Sequence, residues 1–248
     1  MGTMATWQDN PRVGRDAPPK ATAGTPSARS YLALNRWPAT GATPRDTAGG
    51  WQPLACPPAP RPLVDIAACG DKLFAVGDNG LWATDPLHPQ GGWLRAGDAE
   101  AVVALCAGDH RLYALTRDGM LCARAPVARA AAWIRLAPAA GLRTLTVSGG
   151  DVFSVDARGQ LCHLAVAGGT RRWRPLGPAP ALHALAVSYR KLFGLDADHR
   201  LWWRDATPAA APWEPIGRSG RFGALTAIHA RLVALDADQR LWSRDAAP

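Results

Sequence analysis

Residues 195–205, LDADHRLWWRD, return almost unchanged as LDADQRLWSRD at residues 235–245, 40 positions later. The same offset relates four tryptophans that each begin a short string such as WRPLG or WEPIG: Trp93, Trp133, Trp173 and Trp213. Sliding the chain against itself by 40 residues defines five units, which start near residues 61, 101, 141, 181 and 221. A fixed period of this length indicates a repeat architecture.

Each unit contains four short apolar or aromatic runs bounded by Gly, Pro and Asp, which is the pattern of β-strands. In the fourth unit these runs are ALAVS, LFGLD, LWWRD and WEPIG. Four strands in 40 residues match one blade of a β-propeller. Proline at the third position of the Trp-led run suits an outermost strand, because proline cannot donate to a central ladder. The sequence therefore predicts an all-β fold, a five-bladed β-propeller of four-stranded blades.

The two ends of the chain complement each other. The fifth unit stops at LWSRDAAP without a Trp-led run, and the matching string WQPLA occurs at residues 51–55. We predict that this N-terminal strand closes the ring as the outer strand of the last blade. An alternative combines YLALNRWPAT, residues 31–40, with WQPLA in a sixth, partial blade. Residues 31–248 would form one propeller domain, and residues 1–30, rich in Pro, Ala, Gly, Ser and Thr, a disordered or extended arm.

The Trp-led W-x-P-[IL]-G run and the LDADxRLWxRD hairpin resemble tectonin-type β-propeller repeats, and the five units are similar in number to tachylectin-like five-bladed lectins. The resemblance covers about residues 51–248. It implies a non-catalytic, carbohydrate-binding propeller whose several weak sites gain avidity on arrays of glycans. Two departures prevent a residue-by-residue transfer of sugar sites. The units are shorter than is typical of the family, and only units three to five carry the first Asp of LDAD or VDAR: Asp156, Asp196 and Asp236.

Candidate ligand-binding residues lie in the turns between the second and third strands, which share one face of a propeller. Short polar side chains there can hydrogen-bond to sugar hydroxyls, and the candidates are Asp78, Asn79, Asp118, Arg158, Asp198, His199, Asp238 and Gln239. The same residue types also satisfy tight turns without any ligand. The third position of the third strand varies between units and adds two candidates, His163 and Trp203.

The repeated tryptophans fit a structural role, because every blade must pack an apolar side chain against its neighbour. These repeat positions are Trp51, Trp93, Trp133, Trp173 and Trp213. Trp203 is additional to the pattern, and aromatic side chains are enriched at interfaces. A second hypothesis is therefore a protein-docking scaffold or structural subunit of a larger assembly. It would contact its protein partner through the arm 1–30 and the propeller flank that carries Trp203.

No pattern in the sequence predicts catalysis, a metal site or a cofactor. The six histidines lack metal-ligand spacing, and the GxSxG, P-loop and GxGxxG motifs are absent. The five innermost strands offer one carboxylate, Asp65, whereas a glycosidase needs a pair. We therefore expect a protein that is not an enzyme, with no metal and no cofactor.

The formal net charge of +8 is spread along the chain, with no basic run longer than two residues, so we expect no specific nucleic-acid binding. The sequence contains no signal-peptide core and no apolar run that could span a membrane, which favours a cytoplasmic protein, with non-classical export as the alternative. Cys122 and Cys162 align with Trp82, Trp202 and Trp242 of other units, so we expect them to be buried, reduced thiols.

Overall fold

The computed structural model describes residues 50–54, 62–77, 80–86, 88–99, 101–108, 110–126, 131–166, 171–207 and 211–247. Within these residues, twenty β-strands form five antiparallel sheets of four strands each. One 3-10 turn, Pro89–Gly91, is the only helical segment in the described ranges. The five sheets are the blades of a propeller, which confirms the predicted fold class.

Each blade runs from an innermost strand beside the central channel to an outermost strand at the rim of the propeller. Blade one contains, in this order, β2 (Leu63–Cys69), β3 (Lys72–Gly77), β4 (Gly80–Thr84) and β5 (Leu94–Gly97). Blade two contains β6 (Val102–Gly108), β7 (Arg111–Thr116), β8 (Met120–Arg124) and β9 (Ile134–Pro138). Blade three contains β10 (Thr146–Ser148), β11 (Asp151–Val155), β12 (Gln160–Ala165) and β13 (Arg174–Pro178). Blade four contains β14 (Leu182–Ser188), β15 (Lys191–Asp196), β16 (Arg200–Asp205) and β17 (Glu214–Arg218). Blade five contains β18 (Phe222–Ile228), β19 (Arg231–Asp236), β20 (Leu241–Asp245) and β1 (Gln52–Pro53).

The ring is closed by the N-terminal strand, as predicted. Strand β1 pairs antiparallel with β20, with Gln52 opposite Ser243 and Pro53 opposite Trp242. The pairing continues one residue further, because the N–H of Leu54 donates to the carbonyl of Leu241 at 2.8 Å. The WQPL part of WQPLA therefore belongs to blade five rather than to a sixth sheet. Residues 31–49, including YLALNRWPAT, and the predicted arm 1–30 lie outside the described residues.

The core of the propeller is divided among the gaps between neighbouring blades. Five clusters of buried apolar side chains occupy these gaps, one cluster to each gap. Successive side chains of a strand point to opposite faces of its sheet, so Leu192 packs toward blade three and Phe193 toward blade five. Each central strand is consequently buried on both faces. This explains why the second strand of each unit reads as a nearly continuous apolar run.

The repeated tryptophans lie in these gaps, each packed against the cluster that its blade shares with the preceding blade. Their indole N–H groups tie some blades together. Trp133 Nε1 donates to the carbonyl of Asp98 at 3.2 Å, and Trp173 Nε1 donates to the carbonyl of Pro138 at 2.9 Å. Trp51 is the most enclosed of the set, with 1% of its surface exposed. Trp51, which immediately precedes strand β1, thus fills the gap between blades four and five.

Cys122 and Cys162 are buried, as predicted from their alignment with tryptophans. Burial raises the pKa of both thiols. Among the described residues the cysteines are free, and Cys56 lies outside the described ranges. The described part of the chain also contains no helix with the length and apolarity needed to cross a bilayer.

Candidate functional site

One face of the propeller gathers most of the candidate residues. The inner strand of each blade begins beside the end of the second strand, as Leu182 opposite Asp196 and Phe222 opposite Asp236 illustrate. The turns between second and third strands, the connections between blades and the entrance to the central channel therefore share this face. We call it the turn face.

The first Asp of LDAD holds the turn of blade four. Asp196 Oδ1 accepts the backbone N–H groups of Asp198 and Arg200, both at 2.9 Å, and Asp196 Oδ2 accepts Trp202 Nε1 at 2.7 Å. Burial alone would raise the pKa of Asp196, but the hydrogen bonds from Arg200, Trp202 and Asp198, together with the charge of Arg200, outweigh burial and lower it. The carboxylate thus orders both the turn and the neighbouring indole.

Blade five repeats this arrangement. Asp236 Oδ1 accepts the N–H of Arg240 at 2.8 Å, and Asp236 Oδ2 accepts Trp242 Nε1 at 2.7 Å. In blade three, Asp156 accepts two backbone N–H groups in the same way, but Cys162 replaces the tryptophan. Blades four and five therefore share a fixed indole beside the turn.

The exposed turn candidates differ in their surroundings. Asp118 bonds to Arg135 and accepts the hydroxyl of Thr116. Asp238 is 3.9 Å from Arg240, and Arg158 and Asp198 are exposed at the turn face. Asp78 and Asn79 lie outside the described residues.

His199 and Gln239 occupy turn positions where blades two and three have Gly119 and Gly159. All four have positive φ, at 60° for His199, 63° for Gln239, 76° for Gly119 and 73° for Gly159. A non-glycine residue is strained in this conformation. The side chain of Gln239 hydrogen-bonds to both the N–H and the carbonyl of Leu63, so it links blade five to blade one. Gln239 is therefore engaged in closing the ring.

His163 and Trp203 do not reach the turn face. The third position of the third strand points toward the following blade, so both side chains enter gaps between blades. His163 is buried, bonds to Asp151 Oδ1 at 2.8 Å and contacts the ring of Phe153. Trp203 is half-buried in the gap between blades four and five, with Lys191 Nζ 4.4 Å from the ring centroid. The flank that was expected to present Trp203 is thus largely covered by blade five.

A cleft on the turn face collects residues that the sequence reasoning missed. Its volume is about 340 Å³. It lies between the turn that joins the second and third strands of blade five and the connection from blade four to blade five. Its walls include Arg221, Phe222, Asp236, Asp238 and Trp242. We call it the blade-five cleft. Among these side chains, Asp238 alone was a predicted ligand-binding candidate.

The aromatic wall of this cleft is formed by Phe222 and Trp242, and Trp51 packs against Phe222 in the core. Phe222 lies 4.7 Å from Trp51 and 6.3 Å from Trp242 between ring centroids. Arg221 and Asp238 are exposed at the rim, while Trp242 is partly exposed. The arrangement places an apolar surface next to one cationic and two carboxylate groups. A sequence signal existed, because Arg221 and Phe222 stand where the fourth unit has Ala181 and Leu182.

A second cavity of about 90 Å³ lies at the turn-face entrance to the central channel. Asp65, the carboxylate identified in the sequence, is one of its lining residues. Its Oδ1 accepts the N–H of Ile66 at 2.8 Å, and its Oδ2 accepts the N–H of Leu105 at 2.7 Å. Burial raises the pKa of Asp65 to about 7, although these two hydrogen bonds act to lower it. Among the described residues, no second carboxylate lines this cavity, and no three His, Cys, Asp or Glu residues could hold a metal ion.

No protein-family profile and no curated protein matches the chain. Among solved structures, it is similar to a glutaminyl cyclase from Myxococcus xanthus, with a TM-score of 0.54 and 13% identity over 75% of this chain and 91% of that one. It is also similar to a chain of a nidogen/laminin complex, with a TM-score of 0.51 and 13% identity over 74% and 76%. A third similar structure is PorZ, a surface component of the type-IX secretion system of Porphyromonas gingivalis, with a TM-score of 0.48 and 20% identity over 75% of this chain. The match spans 25% of the length of PorZ. At these identities the similarity shows the fold alone.

Proposed function

We propose that this propeller is a non-catalytic, tectonin-like binding module that holds a carbohydrate in the blade-five cleft. The observation that carries the proposal is the partly exposed indole of Trp242 beside the charged rim formed by Arg221 and Asp238. A sugar ring has an apolar face and an edge of hydroxyls. An aromatic wall with a few polar groups at its rim complements both surfaces.

Contacts within blade five fix the aromatic wall of the cleft, which supports this proposal. The hydrogen bond from Trp242 Nε1 to Asp236 Oδ2 fixes the indole, and Phe222 packs behind it. A fixed aromatic surface loses little conformational freedom when a ligand binds, so more of the contact energy remains as affinity. The side chains of Arg221 and Asp238 can then donate to and accept from vicinal hydroxyls.

Blade four would supply a second, weaker site. It has the same bond from Trp202 to Asp196, but Ala181 and Leu182 replace the cationic and aromatic residues of blade five. Blades two and three have cysteine in place of the indole, and blade one keeps Trp82 but has Gly77 where blades four and five have the aspartate that holds the indole. We therefore propose two unequal sites rather than one in every blade, and avidity on glycan surfaces would come from this pair.

The repeat itself provides matched variants for a test. Arg221→Ala introduces the residue that blade four carries, and Asp238→Ala removes the carboxylate of the rim. Asp198→Ala changes the equivalent turn residue of blade four and is the control. A glycan array would first identify the strongest ligand for the full chain, and calorimetry with that glycan would then compare the variants.

We expect Arg221→Ala and Asp238→Ala each to weaken binding by roughly tenfold, the loss associated with one charge-assisted hydrogen bond. Asp198→Ala should change the affinity of the blade-five cleft by less than about twofold, because Asp198 lies in another blade and distant residues act independently. All three side chains are exposed, so the melting temperatures should stay close to that of the parent chain. Equal affinity in the parent chain and both rim variants would contradict the proposal.

A protein-docking scaffold is the second candidate function, and exposed apolar side chains favour it. Leu94 on β5 and Ile134 on β9 are 61% and 60% exposed at equivalent positions of neighbouring outer strands. Blades three and four carry Arg174 and Glu214 there. The double variant Leu94→Arg and Ile134→Glu should therefore fold normally. Under the scaffold hypothesis it should lose a partner that the parent chain retains in a pull-down, while glycan binding stays unchanged.

A further inference from the structure

Five equivalent residues converge at the turn-face entrance to the central channel. Each is the second residue in the innermost segment of its blade, and together they border one cavity: Val64, Val103, Arg143, His183 and Gly223. We call this ring of five the channel mouth. The repeat makes these positions equivalent in space but not in chemistry, since two are apolar, one has no side chain and two are basic.

Arg143 is the strongest charge in the channel mouth. Its side chain is exposed, and in the described part of the chain its guanidinium has no hydrogen-bond or ion-pair partner. A guanidinium offers a planar fork of donors that fits two oxygens of one anion. Arg143 is therefore available to a ligand that enters the cavity.

His183 adds a second basic group at the next blade. Its Nε2 lies 2.9 Å from the carbonyl oxygen of Phe222, which can only accept, so Nε2 carries the hydrogen. This contact with blade five holds the imidazole of His183 at the channel mouth.

We propose that the channel mouth binds a small oxyanion group, such as a carboxylate, sulfate or phosphate, with Arg143 as its main ligand, and that binding strengthens as the pH falls. The cavity is about 90 Å³, much smaller than the blade-five cleft of about 340 Å³. It suits one charged group rather than a whole sugar. This site does not depend on the proposed carbohydrate function.

The pH dependence follows from the charged groups that line the cavity. Three blades contribute Asp65, Arg143 and His183, whereas the lining residues of β6 and β18 carry no charge. Burial raises the pKa of Asp65 to about 7, so this carboxyl is mostly ionised at pH 8 and mostly neutral at pH 5.5. Ionised Asp65 repels an anion. Its neutralisation therefore favours the bound anion at lower pH.

Sulfate is a suitable probe because its charge does not change in this range, and acetate tests whether a carboxylate is accepted. Each would be titrated into the isotopically labelled full chain at pH 5.5 and at pH 8, with sodium chloride keeping the ionic strength constant. In NMR spectra we expect the largest changes in amide chemical shift at Val64, Arg143 and Gly223. The dissociation constant should be roughly tenfold lower at pH 5.5, the effect of one nearby charge in a partly wet site.

Variants assign the effect to named groups. Arg143→Ala should remove the shifts at the channel mouth, while Arg158→Ala, an exposed arginine on the same face of the same blade, should leave them unchanged. Asp65→Asn should tighten binding at pH 8 and remove most of the pH dependence, while His183→Gln, which can keep a donor for Phe222, tests whether the imidazole itself contacts the anion. If Asp65→Asn does not fold, Arg143→Ala and the pH dependence of binding by the parent chain still decide the matter.

The proposal is overturned by any of three results. One is the absence of mouth shifts with both anions at pH 5.5. A second is equal binding by the parent chain and Arg143→Ala. The third is an affinity that does not rise as the pH falls from 8 to 5.5.

Discussion

Replacing Asp65 by asparagine should change how the stability of the propeller depends on pH. Burial raises the pKa of Asp65 from its ordinary 3.8 to about 7, so the folded state binds this proton more tightly than the unfolded chain. The resulting stabilisation is complete below the unfolded pKa and is lost as the pH rises through the folded pKa. Stability should therefore fall between about pH 4 and pH 7 because of this one group.

The difference between these two pKa values corresponds to about 4 kcal/mol, at about 1.4 kcal/mol for each pH unit. About 3 kcal/mol of this should be lost between pH 4.5 and pH 8, because the unfolded chain is already partly ionised at pH 4.5. Asparagine does not titrate and removes this slope. Its single oxygen can accept only one of the N–H groups of Ile66 and Leu105, so the variant should be about 1–3 kcal/mol less stable than the parent chain at pH 4.5, with no further loss from this position at higher pH. The parent chain should be more stable at pH 4.5, and the variant equal or more stable at pH 8.

Urea unfolding followed by tryptophan fluorescence, at constant ionic strength and several pH values, measures these differences. Asp238→Asn, an exposed carboxyl on the turn face, is the control and should give a profile parallel to that of the parent chain. The lowered pKa of Asp196 adds a slope of the opposite sign, but only below about pH 4. Parallel profiles for the parent chain and Asp65→Asn would refute the reasoning.

Three further predictions concern the packing between blades. Trp51→Ala should cost about 3–5 kcal/mol in urea unfolding because the side chain is fully buried, and deletion of residues 1–56 should lower the melting temperature at least as much. A truncated chain that melts like the full one would show that β1 does not secure the ring. Trp203→Ala should cost less, about 2 kcal/mol, since Trp203 is only half-buried, and a loss as large as that of Trp51→Ala would contradict its described position. Cys122 and Cys162 should react with a maleimide only after unfolding, and rapid labelling of the native protein, located by mass spectrometry, would place them at the surface.

The sequence predicted the blades because each unit must solve the same packing problem. The 40-residue period, the short apolar runs of each unit, the Trp-led outer strand and the missing strand of the fifth unit together specify five sheets and the pairing of β1 with β20. Those features are local to one unit or recur in every unit. They are therefore visible without any knowledge of how the units are arranged in space.

The sequence could not show which gap a side chain enters when a strand is buried on both faces. Trp202 and Trp203 are adjacent in the chain, yet one packs toward blade three and the other toward blade five. With no solvent-facing side to mark the register, Trp203 looked like a surplus surface residue. The same limit applied to His163.

The two candidate sites were hidden for different reasons. The walls of the blade-five cleft belong to the fifth unit, but Arg221 and Phe222 meet Asp238 and Trp242 only when the strands of that blade pair, and their one sequence signal is the departure from Ala181 and Leu182. The channel mouth needs one residue from each blade, so Arg143 and His183 come together only when the ring closes. The channel mouth has no spacing along the chain that a motif search could find.

The most direct test of carbohydrate binding in the blade-five cleft follows the indole N–H resonance of Trp242. The strongest glycan from an array would be titrated into labelled full-length protein, with Trp242→Phe used to assign the resonance and Trp202 as the equivalent group in blade four. The proposal predicts that the Trp242 resonance and the amides of Arg221 and Asp238 shift together in a saturable manner, well before Trp202 responds. Shifts centred instead on Leu94 and Ile134, or no saturable shift at Trp242 with any glycan, would contradict the proposal.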